Sequence, residues 1–219
     1  MAKVSDYTNN TPKKDYGRIG EGTFMGRVVT VILLGRHNKT NWKTGEQEYY
    51  DDGNPVVQSV AFVNFELPTE RIQVEKEDET LDLPRWAMKE YAISAHEKSG
   101  FRALFSACGK NVEKDEIESI INSPLFVNVG STKNKKDKIT GVGKLMKGME
   151  CPELENEPYF FDPYNPDPEV WKRVPNFIKE KIKEANDFGQ MKKLQSLDGD
   201  GNKQEDKEED NDFDDDIPF

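Results

Sequence analysis

From Val56 to Leu67 the side chains alternate: Val57, Ala61, Val63, Phe65 and Leu67 fall on one face, Gln58, Phe62, Asn64 and Glu66 on the other. A period of two is that of a strand with one face on a core, so the first set is the expected core face. Phe24 to Leu34 is a long run rich in β-branched residues, as in a buried strand. Gly35 to Pro55 then brings Gly, Asn, Asp and Pro, the composition of a long loop or a hairpin extension.

The rest of the chain adds elements in a definite order. Arg71–Glu75 reads as a short strand with Ile72 and Val74 inward, acidic Glu75–Asp82 as a loop, and Trp86–Ile93 as a further strand. Ser94 and Glu97 have capping-box spacing, and Phe101, Leu104, Phe105 and Cys108 recur at helical spacing before Gly109. A second helical piece is expected over Lys114–Asn122. Leu125, Val127 and Val129 alternate as a strand, Thr132–Lys138 forms a basic turn, and Ile139–Met146 returns as its partner. Three strand regions, a helical connection and a hairpin make a mainly β chain in the order of the OB-fold, a five-stranded Greek-key barrel; a β-sandwich is the rival.

Beyond Met149 the chain is Pro-rich to Pro168, with Tyr159, Phe160, Phe161 and Tyr164 in a stretch expected to wrap the body. Asp167 followed by Pro168 starts a helix whose stripe is Val170, Trp171, Phe177, Ile178, Ile182 and Ala185, interrupted at Pro175. The expected organisation is an extended lead-in over 1–22, a barrel over 23–149, a wrap with one packed helix over 150–190, and a disordered acidic tail over 191–219.

Charge sharpens that division. The formal net charge is −11. Residues 198–219 hold eleven acids against Lys203 and Lys207, a net of −9, which leaves −2 for the other 197 residues. A near-neutral body argues against an acidic DNA mimic, which would need its charge on a rigid surface. Cys108 and Cys151 lack CxxC spacing, so a reducing compartment is expected and each thiol reads as an apolar filler. No apolar run follows a basic stretch over Met1–Asn10, and no eighteen consecutive apolar residues occur, so the expected location is cytoplasmic, with no membrane partner.

Catalytic and cofactor patterns are missing. Gly109-Lys110 and Gly143-Lys144 lack the upstream glycine and the following Ser or Thr of a phosphate-binding loop. His37 and His96 have no second ligand at metal spacing. Asp198, Asp200, Asn202 and Glu209 imitate a calcium loop, but Lys203 stands where its sharp turn requires Gly. The expectation is a protein that is not an enzyme and uses neither cofactor nor metal.

Two basic clusters interrupt the acidic average. Lys133, Lys135, Lys136 and Lys138 crowd the turn before the last strand, opposed only by Asp137. Arg36, Lys39 and Lys43 are interleaved with Trp42, Tyr49 and Tyr50 in the loop after the first strand. Lysines neutralise phosphates without reading bases, and aromatic rings stack on unpaired bases, which together suit a single strand. In an OB barrel these two loops flank the binding groove, and Arg27, Phe62 and Arg71 are expected to extend the surface across the strands. A solvated hairpin tip and a local aromatic cluster are the bland alternatives.

The chain ends Asp212-Phe213-Asp214-Asp215-Asp216-Ile217-Pro218-Phe219. This octapeptide resembles the terminal peptide of bacterial single-stranded DNA-binding proteins. The body departs from their compact barrel; with its segment Tyr-Ala-Ile-Ser-Ala-His-Glu-Lys-Ser-Gly-Phe-Arg-Ala-Leu-Phe from Tyr91 to Phe105, it is more similar to single-stranded DNA-binding proteins of tailed bacteriophages. The resemblance implies an OB-fold protein that coats single-stranded DNA during replication, recombination or repair and recruits partner proteins through its tip. Physically, Ile217 and Phe219 suit a small apolar pocket, Phe213, Asp214, Asp215 and Asp216 with the terminal carboxylate suit Arg or Lys on a partner, and Pro218 lowers the ordering cost. An adaptor that binds only proteins, and a general binder of single-stranded DNA or RNA, are the alternatives.

Overall fold

Strand β1 (Gly22–Asn38) runs through the middle of the fold, and its neighbours explain its composition. The computed structural model describes residues 17–41, 44–76 and 79–200. β1 pairs antiparallel with β2 (Val57–Lys76) from Arg27 onward, and with β4 (Pro124–Ser131) over Gly22–Arg27. With β3 (Glu79–Ala92) and β5 (Asp137–Gly143) the order is β3-β2-β1-β4-β5, a curled antiparallel half-barrel. The two edge strands meet where Lys89 Nζ donates to the Ile139 carbonyl at 3.2 Å.

The inner face of this curl is filled by Val28, Val31, Ala61, Val63, Phe65, Leu67, Leu125, Val127 and Ile139. Helix α1 (Gly100–Ala107) adds Phe101, Leu104 and Phe105 to the same core. Its cap is Ser99, whose hydroxyl accepts from Arg102 N at 3.0 Å, and not Ser94, whose hydroxyl accepts from His96 N in the preceding turn. At the other end Gly109 (φ +72°) turns the chain so that Lys110 N donates to the Phe105 carbonyl at 2.8 Å, satisfying a helix-end acceptor. The second helical piece shrinks to one 3₁₀ turn, Ile117–Ile120.

Strands β2 and β3 outrun their expected lengths. Arg71–Glu75 continues β2 past an irregularity between Leu67 and Arg71, and Lys76 pairs with Glu79, so most of the acidic stretch expected as a loop is strand. Cross-strand pairing sets Ile72 opposite Leu83 and Val74 opposite Leu81, and such apolar pairs stabilise the extension despite its acids.

The outer face of β1 and β2 is buried too. Short strand β6 (Tyr159–Phe161) lies parallel to β1 at Thr30–Ile32, and three helices follow: α2 (Pro168–Arg173), α3 (Asn176–Lys183) and α4 (Lys192–Asp200). As the sequence suggests, Asp167 caps α2, accepting from Glu169 N at 2.8 Å, and Pro175 separates α2 from α3. Phe161, Trp171, Val174, Ile178, Ile182, Met191 and Leu194 bury Ile32, Leu34, Val60 and Phe62 in a second core. The single packed helix expected is therefore three, and the boundary at residue 191 is corrected: Met191 and Leu194 are buried, so the body continues into α4.

Two buried carboxylates under this layer are well partnered, whereas the Asn64 Oδ1 on the same face has no partner among the described residues. Glu66, placed by its alternation on the non-core face, is fully buried because the wrap donates to it from Glu155 N (2.7 Å), Asn156 N (3.2 Å) and Asn156 Nδ2 (2.7 Å). Buried Asp187 accepts from Arg36 N at 2.9 Å and from the Tyr164 hydroxyl at 2.5 Å. Gly35 (φ +85°) permits that approach, since a Cβ there would lie 2.6 Å from Met191 Cε and 2.9 Å from Ala185 Cβ. Gly35→Ala is expected to destabilise the fold by about 2–3 kcal/mol through backbone strain and steric overlap. Urea unfolding of the variant beside the parent checks this.

Candidate nucleic-acid interface

The β4–β5 hairpin tip is a tight turn: Thr132 N donates to the Lys136 carbonyl (2.8 Å), and Lys136 N donates to Thr132 Oγ1 (3.0 Å). Lys135 takes a left-handed conformation (φ +57°) at its apex. Lys133, Lys135, Lys136 and Lys138 are all exposed, and among the described residues none of them makes an ion pair. The one acid in the cluster is withdrawn. Asp137 accepts from Arg18 Nε (3.1 Å), Arg18 Nη2 (3.0 Å) and Ile19 N (2.6 Å), while Arg18 also reaches Ser131 Oγ. The tip thus presents four positive charges without a competing carboxylate. Lys89, half-buried at the β3–β5 seam, has its pKa lowered by burial and then by the charge of Lys138.

The loop between β1 and β2 is a folded hairpin extension. Bridges join Thr40 to Gln47 and Tyr49 to Pro55, with Lys39 N donating to Val56 O at 2.8 Å. Tyr49 and Tyr50 are 63% and 56% exposed, an arrangement that leaves both rings free to stack. Arg36 is exposed at the loop's foot. Lys39, however, pairs with Glu48 at 2.7 Å, which offsets its charge. Trp42 and Lys43 lie outside the described residues, as do Phe213–Phe219.

The second half of β3 borders the strands that carry both loops. Ala92 pairs with Val60 close to the start of β2, and three residues earlier Lys89 reaches Ile139 at the start of β5. Along β1 the two loops lie at opposite ends, the lysine tip beyond Gly22, which pairs with Val129, and the tyrosine loop after Asn38; the Lys89–Ile139 contact closes the curl between β3 and β5.

Three expected surface residues are structural instead. Arg27 is only 11% exposed in its side chain and donates to the carbonyls of Asn122 (2.9 Å), Cys151 (3.0 Å) and Pro152 (2.7 Å) and to Glu153 (2.8 Å). Its fork pins the wrap to the barrel. Arg71 is held by Asp82 at 3.0 Å and by Glu155, so two carboxylates already neutralise it. Phe62 is 4% exposed and meets the edge of Phe177 from α3, ring centroids 6.1 Å apart. In each case the covering partner comes wholly or partly from the C-terminal layer, and local sequence holds no sign of it. The withdrawal of Asp137 by Arg18, 119 positions away, was equally invisible.

Other chemistry is sparse. His37 Nε2 lies 3.1 Å from the Leu34 carbonyl, and His96 Nδ1 accepts from Lys98 N. Among the described residues no group of three His, Cys, Asp or Glu side chains is placed to hold a metal, and no helix is long and apolar enough to cross a membrane. The chain matches no protein-family model, no curated protein and no solved structure.

Burial pushes the Cys108 thiol up to about 12 from an ordinary 9.0, and burial also raises Cys151. The unfolded chain releases the Cys108 proton near its ordinary value, whereas the folded chain retains it. This contribution to stability is fully present below about pH 9 and is lost as pH rises toward 12. The urea midpoint is expected to fall between about pH 8 and pH 10, and Ellman's reagent near pH 8 should label both thiols in the unfolded chain and neither promptly in the native one.

Proposed function

We propose that this protein binds single-stranded DNA, without strong sequence preference, on an OB-type barrel. The observation that carries the reading is the β4–β5 tip, where four exposed lysines stand free of ion pairs among the described residues and their one acidic neighbour is engaged by Arg18. Tyr49 and Tyr50 supply exposed stacking surfaces on the β1–β2 loop. Cationic groups on one loop and exposed rings on the other match the requirements of an unpaired strand: phosphates held by charge, bases by stacking. The half-barrel's strand order, with a helix between β3 and β4, is compatible with an OB-fold and supports the reading.

The proposed path of the strand is narrower than the sequence suggests. Helix α3 lies over Phe62, and Arg27 and Arg71 serve the wrap, so the outer face of β1 and β2 from Phe62 onward is closed to DNA. The strand instead runs between the lysine tip and the tyrosine loop. Replication, recombination or repair proteins are the proposed partners of residues 213–219, on the strength of the octapeptide alone. The role is one of binding and recruitment in the bacterial cytoplasm rather than catalysis.

Anisotropy of a labelled oligothymidine, with a duplex of equal length as control, tests the reading. Salt-sensitive saturation by the single strand and much weaker duplex binding are expected; no binding of either at low salt would leave the protein-only adaptor. Replacing Lys133, Lys135 and Lys136 together with Ala should weaken binding and reduce the log–log salt slope by about 2. Tyr49→Ala or Tyr50→Ala should cost about 1–3 kcal/mol of binding at low and high salt alike, as stacking requires.

A further inference from the structure

Where α3 stops covering the outer face of β2 and β3, a cleft of about 470 Å³ opens at the foot of the β1–β2 loop. Its size is that of a small-ligand site. The cover ends at Phe62, under Phe177, and at Glu90, whose carboxylate is tied to Lys181 of α3. Next along the strands come Val60 and Ala92, a cross-strand pair that gives the cleft an apolar floor. The walls are polar. Asn186 Nδ2 donates to Asn38 Oδ1 at 2.7 Å across one side. Gln58 and Glu184 also line the cleft, and neither side chain has a hydrogen-bond or ion-pair partner among the described residues.

We infer that this cleft receives one unpaired base of the bound strand and prefers guanine; the inference rests on the DNA-binding reading above. A small apolar patch, Val60 with Ala92, between polar walls suits a ring whose edge is rich in donors and acceptors. A phosphate is unsuited to the interior. The one lysine on the lining, Lys181, is engaged by Glu90, and Glu184 adds a second negative charge, so the backbone stays outside while the base enters. A carboxylate is an acceptor with two oxygens, matched best by two adjacent donors. Among the four DNA bases only guanine carries two adjacent donors, N1–H and the N2 amino group, on its pairing edge. Glu184 accepts from that pair, and the Gln58 amide has an N–H to donate to O6. The outcome is one position of base preference within an otherwise sequence-tolerant strand.

The test compares oligothymidines of one length carrying a single central guanine, inosine, adenine or thymine, titrated by anisotropy against the full-length protein and its Glu184→Gln variant. Guanine should bind about tenfold tighter than thymine, as expected of a bidentate contact. Inosine, which lacks the N2 amino group, should forfeit most of that gain, and in Glu184→Gln the guanine-to-inosine ratio should fall to about one. Binding that ignores the central base overturns the inference and leaves the DNA-binding reading standing. A guanine preference that persists unchanged in Glu184→Gln overturns the assignment to this cleft. Absence of binding to every oligonucleotide overturns both.

Discussion

Burial of β1 on both of its faces is the constraint on which the fold depends. Val28 and Val31 face the inner core with Ala61, Val63 and Phe65, while Ile32 and Leu34 face the second core with Phe161, Ile178 and Ile182. Irregularities between Val28 and Thr30 and between Leu33 and Gly35 bend the strand between the two. A strand covered on one side needs only every second residue apolar; one covered on both needs nearly all of them. The run Val28–Leu34, apolar but for Thr30, is that requirement written in sequence.

The outer layer is held by specific polar contacts as well as by burial. Glu66, Arg27 and Asp187 each bridge the barrel and the C-terminal segment: the wrap donates to Glu66, its carbonyls accept from Arg27, and Asp187 accepts from Arg36 N of β1 and from Tyr164. A buried charge without such partners would cost several kcal/mol, so each of these groups selects one path for the wrap across the sheet. Gly35 acts with them, giving Met191 and Ala185 the space to approach β1. The layer that forms in this way covers the outer face of β1 and β2 and stops short of the Ala92 end of β3.

Electrostatics are arranged by separation. Arg18 occupies Asp137, Glu48 occupies Lys39, and Glu90 occupies Lys181, while the lysines of the β4–β5 tip stay unopposed among the described residues. A chain of net charge −11 can therefore present a local positive surface, since exposed charges beyond about 10 Å are largely screened at ordinary ionic strength. Net charge says little about which ligand such a body binds.

Elements whose physics is local were legible. The alternation of β2, the buried run of β1, the basic β4–β5 turn, the Asp167 cap and the break at Pro175 all follow from short-range periodicity and turn chemistry, and all are present. The exposed lysines and tyrosines were legible for the same reason. What the sequence could not show is which polar-face residues a distant segment would cover. Phe62, Arg27 and Arg71 have the composition of a binding surface, and they became structural because residues about 80 to 130 positions away pack on them. Periodicity determines which face of a strand a residue lies on; only the tertiary fold decides whether that face meets water, because covering it depends on contacts between segments that share no local pattern.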